Sequence, residues 1–411
     1  MKFFKRSAPL SDKHAFIALS VLMSISSAQV SLNAYIDSLY LSKAIQGTAA
    51  LQSFSFWEHP DKIIGTLYTL ASLVTLIIFF TIPRILRRFG NYRWTLGIMV
   101  SQFVALLGLA YFNSAFLIIP LFIIETTLVS IIYFNFDVFI ERYSKDEFTG
   151  TIRGFIKALT SLAWLIPPFI AGTIVEHHGF PLVYFSGAML LVPAILLMMY
   201  FFGDFKDMHY EQGPLFLSNK EIHVHPDVPR IFWAYFFLQF FYAWMIIYAP
   251  IYFHNTLGVS YEDFGIILTI ALTAFVILPS PEGILADRYL GEKELLIVGF
   301  LFMAVSSFAI PYFSDARLSL WWWGGLLFLG RMGAATVETM TDVFFFKQID
   351  GNATPLIGYY RRASPMAYVL APLLASLLLG FGIVNLRELF TILGFVMILA
   401  LYFPLHITDT K

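Results

Sequence analysis

Long apolar runs recur along the 411-residue chain and constrain its fold more than any other feature. A helix that crosses a bilayer needs roughly 20 mostly apolar residues. Such runs predict membrane spans near residues 15–38, 63–83, 94–113, 115–139, 152–175, 181–203, 230–253, 262–281, 294–313, 319–346, 359–381 and 386–405. The runs are continuous and lack period-two alternation, which argues against the strands of a membrane barrel. We therefore predict an all-α integral membrane protein with twelve transmembrane helices.

The composition supports this prediction. Only 13% of the residues are charged, against about 25% in a soluble domain. The net charge of −1 gives no indication of a nucleic-acid partner, and the absence of cysteine excludes disulfides and thiolate metal sites. The first 28 residues have the outline of a secretory signal, but the apolar run continues past Ala28. We expect an uncleaved first span.

The distribution of basic residues predicts the orientation. With the N-terminus inside, 21 of the 26 Lys and Arg residues lie at the cytoplasmic ends, four lie outside and one lies within a span. Such a bias is typical of an even number of spans with both termini inside. The longest polar break then falls on the cytoplasmic side. We predict an N-terminal six-helix bundle at residues 1–203, a cytoplasmic linker at 204–229 and a C-terminal six-helix bundle at 230–411. His223 and His225 in the linker lack further ligands, so we expect no metal.

The two predicted bundles repeat each other in sequence. Asp137 begins an Asp-Val-Phe triplet at the end of span four, and Asp342 begins the same triplet at the end of span ten. Pro168 in span five and Pro372 in span eleven follow at nearly the same separation. Both copies start inside, so the repeat is parallel, whereas several other transporter folds invert their repeats.

The loop after span eight carries a further pattern. It consists of Gly283, then Asp287 and Arg288, then Gly291 followed by a basic residue. This loop resembles the signature cytoplasmic loop of the major facilitator superfamily, with the second glycine one residue late, as in its proton-coupled peptide transporter branch. Together with the repeat and the span count, the resemblance covers the whole chain. It implies the major facilitator fold and a secondary transporter.

The first-half counterpart of this loop departs from the family pattern. It keeps Arg88 and Gly90, but Pro83 replaces the expected glycine and Arg87 the expected aspartate. An Asp at a helix end can bind a neighbouring helix N-terminus or an Arg in one conformational state only. We therefore assign a cytoplasmic latch or gate role to eight residues: Gly283, Asp287, Arg288, Gly291, Arg87, Arg88, Asp137 and Asp342. The alternative is plain topogenic charge around a tight turn.

Polar residues inside the spans form stripes on spans one, four, seven and ten, the spans that line the central cavity in this superfamily. Spacings of three, four, seven or eleven residues place such residues on one helical face. The predicted cavity residues are Gln29, Asn33, Tyr235, Gln239, Tyr242 and Arg331. Asp37 continues the stripe of span one near its outer end, and we interpret it as interfacial.

Two carboxylates within the spans are candidates for proton or cation coupling. Glu125 lies near the middle of span four, and Glu338 lies on the stripe of span ten. Burial disfavours an ionised carboxylate and a nearby guanidinium favours it, so Glu125 or Glu338 near Arg331 could change protonation state. The alternative is a static ion pair of Glu125 with Arg331, which occupy matching positions in the two halves.

These features favour proton-coupled export of small organic or drug-like molecules, driven by an ion gradient without a cofactor. The alternative is uptake or facilitated diffusion of a polar solute such as a sugar, peptide or organic anion. A membrane sensor or lipid scramblase on the same fold is a more remote alternative. The chain has no nucleotide-binding loop or catalytic triad pattern, so we expect no enzyme activity. The expected partners are a small-molecule substrate and the bilayer of the plasma (inner) membrane, with a monomeric protein and no nucleic acid.

Overall fold

The structure is a computed structural model that describes residues 12–48, 60–143, 149–205, 207, 226–313, 318–348 and 354–408. Nearly all of these residues lie in helices, and none of the described residues lies in a strand. The all-α fold predicted from the apolar runs is therefore confirmed.

Eight described helices precede the linker. They are α1 (Asp12–Ala34), α2 (Asp37–Gln46), α3 (Pro60–Phe89), α4 (Asn91–Tyr111), α5 (Ala115–Tyr143), α6 (Thr149–Leu165), α7 (Pro167–His178) and α8 (Phe180–Phe201). Ten described helices follow it. They are α9 (Val228–Ile251), α10 (Tyr261–Leu272), α11 (Ala274–Ile277), α12 (Pro279–Arg288), α13 (Glu292–Tyr312), α14 (Leu320–Gln348), α15 (Thr354–Arg361), α16 (Ala363–Gly380), α17 (Leu386–Ala400) and α18 (Tyr402–His406). A π-helix, Tyr252–Thr256, extends α9.

Among the described residues, ten helical segments are long and apolar enough to cross a membrane. They coincide with ten of the twelve predicted spans. The other two predicted spans, eight and ten, are also helical. Span eight is divided into α10, α11 and α12, and span ten is the single 29-residue helix α14, which carries Arg331, Glu338 and Asp342.

Local sequence explains several helix boundaries. The side chain of Ser260 accepts a hydrogen bond from Asp263 N at the start of α10, and Asn385 and Glu388 form a reciprocal capping box at the start of α17. Pro167 begins α7 and interrupts span five, because proline lacks the backbone N–H that would continue the preceding helix.

The chain folds into two compact units. The first comprises residues 1–60 and 70–212, and the second comprises residues 61–69 and 213–411. Helix α3 is thus divided, with its first turns in the second unit, where Thr69 Oγ1 lies 3.4 Å from the Val369 carbonyl oxygen. The division at 204–229 expected from the sequence stays a prediction, and most of that linker, including His223 and His225, lies outside the described residues.

In the first unit, α1 packs against α6 and α8, and α4 packs against α5 and α8. The predicted first span is interrupted at Tyr35 and Ile36, so that α2 begins at Asp37. An apolar cluster fills one end of the unit around Leu22, Leu86, Phe136, Phe139 and Phe202. Burial of these side chains holds the ends of α1, α3, α5 and α8 together at this end.

In the second unit, α13 packs against α14 and α17, and α9 packs against α16. Glycine allows the α13–α14 contact to be close: a Cβ atom added to Gly299 would lie 2.9 Å from the Gly333 carbonyl oxygen. Small residues at such a crossing let helix backbones approach within a membrane, where packing rather than water exclusion drives association.

Candidate functional site

The buried carboxylate of Glu125 lies in a ring of side-chain amides within the first unit. Its Oε1 accepts hydrogen bonds from Gln102 Nε2 at 3.2 Å and from Asn33 Nδ2 at 3.5 Å. Gln102 Nε2 also donates to Gln29 Oε1 at 2.8 Å, and Gln29 Nε2 donates to Asn33 Oδ1 at 3.2 Å. We call these four residues the amide ring.

The amide ring is inside the bundle rather than at its surface. Glu125 is only 3% exposed, and the three amide side chains are buried as well. Helix α5 contributes the carboxylate, α1 contributes Gln29 and Asn33 four residues apart on one face, and α4 contributes Gln102. A buried polar group is tolerated when its hydrogen bonds are made, and the ring supplies donors to the carboxylate without a formal charge.

A second carboxylate lies next to this ring. Asp37, the first residue of α2, is 7% exposed, and its Oδ1 accepts a hydrogen bond from Tyr184 Oη at 2.7 Å. Asp37 and Glu125 are close enough for their charges to interact. The interpretation of Asp37 as an interfacial residue is therefore wrong: the interruption of the first span places it inside the unit.

In the second unit, Glu338 of α14 is bonded to a tyrosine of α9. Tyr242 Oη donates to Glu338 Oε2 at 2.7 Å. The guanidinium of Arg331, 3% exposed and two turns before Glu338, lies over the rings of Phe241 and Tyr242 at 5.9 and 5.8 Å. This arrangement brings together a buried cation, two aromatic faces and a half-buried carboxylate, which can bind polar or anionic groups.

The other predicted cavity residues of α9 contact α15 and α16. Tyr235 stacks on Tyr360 with ring centres 4.6 Å apart, and Tyr360 Oη donates to Asp342 Oδ1 at 3.0 Å. Gln239 Oε1 accepts a hydrogen bond from Ser364 Oγ at 3.0 Å. Asp342 therefore has a tyrosine partner at the end of α14, and the proposed gate function of this residue stays a prediction.

The loop between α12 and α13 has the backbone conformation that its second glycine permits. Gly291 has φ +114°, a left-handed region that favours glycine, and it directly precedes α13. Arg288 is exposed, and Gly283 has open space around it. The side chain of Asp287 lies outside the described residues. A salt bridge joins the first turn of α13 to the last turn of α14: Glu292 Oε1 lies 2.5 Å from Lys347 Nζ.

The first-half counterpart of this loop receives a carboxylate from elsewhere in the chain. Arg87 and Arg88 are exposed, and Arg88 lies over the Phe89 ring. Asp207 Oδ1 accepts a hydrogen bond from Asn91 N at 2.7 Å, at the N-terminus of α4. Gly90 has φ +76°, and a Cβ atom there would lie 2.5 Å from Asp207 Oδ2. Asp207 thus caps α4, the helix that follows the loop in which Arg87 replaces the expected aspartate. Sequence reasoning did not predict this role of Asp207.

Asp137 is half-buried in α5.

Metal binding was not expected, and the part of the chain that the structure describes has no group of three or more His, Cys, Asp or Glu side chains able to hold an ion.

Comparison with known protein families identifies the family to which the chain belongs. The family model described as Major Facilitator Superfamily matches residues 16–354, and it matches residues 231–411 as well. The chain belongs to the Major Facilitator Superfamily. No curated protein matches the chain significantly. The Major Facilitator Superfamily assignment, with the ten apolar helices, makes this a multi-pass membrane protein of a transporter family whose members are in general not enzymes.

Within this Major Facilitator Superfamily protein, the structure brings three predicted residues into the amide ring: Gln29, Asn33 and Glu125. It brings Tyr242, Arg331 and Glu338 together in the second unit. Gln102 and Tyr184 were missed, because each is an uncharged polar residue on a span for which no polar stripe was predicted. An amide in the middle of an apolar span is costly to insert, and that cost is the signal that could have found Gln102.

Proposed function

We propose that the protein is a proton-coupled secondary transporter that exports small organic solutes by alternating access, with Glu125 as the proton-binding group. The observation that carries this proposal is the amide ring, which holds a carboxylate at the middle of a membrane span with uncharged hydrogen-bond partners.

The ring makes both charge states of Glu125 accessible. A charged side chain at the centre of a spanning helix costs at least about 2.5–3.5 kcal/mol on insertion scales. Hydrogen bonds from Gln102 and Asn33 to the carboxylate offset part of that cost. A protonated Glu125 carries no charge and keeps its carbonyl oxygen as an acceptor. A group whose two states are both tolerated can bind and release a proton once in each transport cycle.

The remaining features of the proposal follow from the sequence. The protein works as a monomer in the plasma membrane with both termini in the cytoplasm. It needs no cofactor, because the proton gradient supplies the free energy. The excess of basic residues at one set of loops supports this orientation.

Purified protein in liposomes that contain a pH-sensitive dye tests the proposal. Panels of lipophilic cations, sugars, amino acids and peptides are added, and the internal pH is followed. We expect one solute class to evoke a proton flux in the wild type and no flux in Glu125→Gln.

Glu388→Gln is the matched control, because Glu388 is an exposed carboxylate in a capping box, where Gln caps equally well. This variant should retain the wild-type flux. Solute uptake without any proton flux, unchanged in Glu125→Gln, would contradict the proposed coupling.

The cluster around Arg331 favours a second candidate, transport of a polar solute with an anionic group. A guanidinium buried over Phe241 and Tyr242 provides both charge and aromatic contact for such a solute. In the same liposomes, Arg331→Lys should then weaken the response to organic anions while leaving any response to lipophilic cations. Equal loss of both responses would argue against this candidate.

A further inference from the structure

With Glu125 ionised, the hydrogen-bond pattern sets the direction of each bond in the amide ring. Gln102 Nε2 lies within 3.2 Å of two oxygens, Glu125 Oε1 and Gln29 Oε1. An ionised carboxylate can only accept, so the Gln102 nitrogen rather than its oxygen faces Glu125. The oxygen of Gln29 is then the acceptor, and its nitrogen donates onward.

The next link closes the ring. Gln29 Nε2 donates to Asn33 Oδ1, which leaves Asn33 Nδ2 to face Glu125 Oε1. The two ring atoms that contact the carboxylate, Gln102 Nε2 and Asn33 Nδ2, are therefore both hydrogen-bond donors. The amide oxygens of Gln29 and Asn33 are occupied as acceptors inside the ring itself.

This arrangement does not suit a metal cation. Hard cations take several oxygen ligands, usually carboxylates, carbonyls and water. Here a cation at Glu125 would meet the positive ends of two amide dipoles, and the neighbouring carboxylate of Asp37 already accepts a hydrogen bond from Tyr184. A proton needs no such ligand set, since it binds to one carboxylate oxygen.

We infer that Gln102 determines the ion selectivity of the coupling site, because it presents an amide N–H to Glu125 where a site for Na⁺ would need a further oxygen ligand. This inference rests on the proposed function, in which Glu125 is the proton-binding group, and it adds the residue that selects the proton over Na⁺.

The charged groups on the helices packed against Glu125 are few. Helix α2 contributes Asp37, which is bonded to Tyr184, and Lys43, whose Nζ lies 5.3 Å from the centre of the Phe180 ring. Helix α3 approaches α5 where Thr127 Oγ1 contacts the Ala71 carbonyl oxygen, and its residues 63–83 include no acidic or basic side chain.

Helix α8 closes the ring with Gly187. A Cβ atom there would lie 3.7 Å from both Asn33 Oδ1 and Gln29 Nε2, so an alanine fits and a larger side chain would press on the ring. The backbone of α8 thus covers the amides at this position, and Gly187 itself provides no side-chain oxygen for a cation.

Infrared difference spectroscopy on the purified protein tests the inference without a solute. Acid-minus-neutral spectra of the wild type should contain a carboxylic acid C=O band that is absent in Glu125→Gln. At a constant pH at which the band is present, NaCl should leave its intensity equal to that in choline chloride of the same ionic strength. A band that NaCl removes selectively would overturn the inference.

A second measurement addresses Gln102 itself. Gln102→Glu has nearly the same size and replaces the N–H donor with an oxygen ligand. We expect its melting temperature to rise with NaCl and not with choline chloride, as expected for binding to the folded state. The wild type and Gln102→Met, which lacks both donor and charge, should show equal melting temperatures in the two salts.

A folded Gln102→Glu protein that remains indifferent to Na⁺ would overturn the assignment of selectivity to Gln102. If Gln102→Glu does not fold, the wild-type spectra alone decide whether the site binds Na⁺. A Glu125 band that NaCl leaves unchanged supports this inference even if no solute evokes a proton flux, a result that would overturn only the proposed function. Transport driven by Na⁺, with a band that NaCl removes, would retain a coupled transporter and overturn the inference.

Discussion

At the residue scale, the hydrogen bond between Tyr184 and Asp37 connects two helices of the first unit. Tyr184 lies on α8 and Asp37 begins α2, and the 2.7 Å contact is buried. Removing the donor leaves a buried carboxylate oxygen short of one partner. Hydrogen bonds between membrane helices contribute about 0.6 kcal/mol to stability on average and up to about 1.7 kcal/mol. Because the acceptor here is a carboxylate, we expect the contribution of this bond to lie in the upper part of that range.

We expect Tyr184→Phe to destabilise the protein by about 1 kcal/mol. Its melting temperature in detergent, measured by intrinsic tryptophan fluorescence, should fall below that of the wild type. Tyr111→Phe is the control, because Tyr111 is 80% exposed, and it should melt with the wild type. Equal melting temperatures for all three proteins would mean that the Asp37 contact adds no stability.

At the element scale, the close crossing of α13 and α14 depends on the absence of a side chain at Gly333. A Cβ atom there would overlap the carbonyl oxygen of Gly299 and lie 2.9 Å from Phe302 Cβ. These are backbone and near-backbone atoms, so the helices would have to separate. Overpacking of this kind costs about 1–3 kcal/mol.

Gly333→Ala should therefore lower the melting temperature and the yield of folded protein in detergent. Gly325→Ala, on the same helix, is a matched control, since no atom lies within 4 Å of the added methyl group. Alanine is favoured over glycine inside a helix, so the control should be neutral or slightly stabilising. Parallel behaviour of the two variants would disprove the importance of the crossing.

The elements also indicate how much could be predicted from sequence. Apolar runs located the twelve helical regions, and polar stripes identified Asn33 and Glu125, because both signals are periodic along one helix. The break at Tyr35 and Ile36 contains no glycine or proline, so nothing local marked it, and Asp37 was misplaced as a result. The partnership of Glu125 with Gln102 depends on packing between helices, which one span's pattern does not contain.

At the scale of the whole molecule, the orientation predicted from basic residues can be checked with two tyrosines. Tyr289 and Tyr312 flank α13, and they are 73% and 78% exposed. A 21-residue helix is about 31 Å long, enough to place its ends on opposite sides of the bilayer. The chain contains no cysteine, so a single introduced thiol can be labelled without background.

In intact cells, a membrane-impermeant maleimide should label Tyr312→Cys and leave Tyr289→Cys unlabelled until the membrane is permeabilised. Both side chains are comparably exposed on the protein, so a difference in labelling does not come from burial within the protein. Labelling of Tyr289→Cys alone in intact cells would show that the predicted orientation is inverted.

The uncharged partners of Glu125 have an electrical consequence. In the proposed cycle the Glu125 side chain is neutral when it carries its proton and negative when it does not. The amides around it are uncharged, so the net charge of the site differs by one between the two states. Moving one elementary charge through the full field changes the free energy by about 2.3 kcal/mol per 100 mV. Export of an uncharged solute would then be electrogenic, and the resting potential of the cell would act as a second driving force beside the pH gradient.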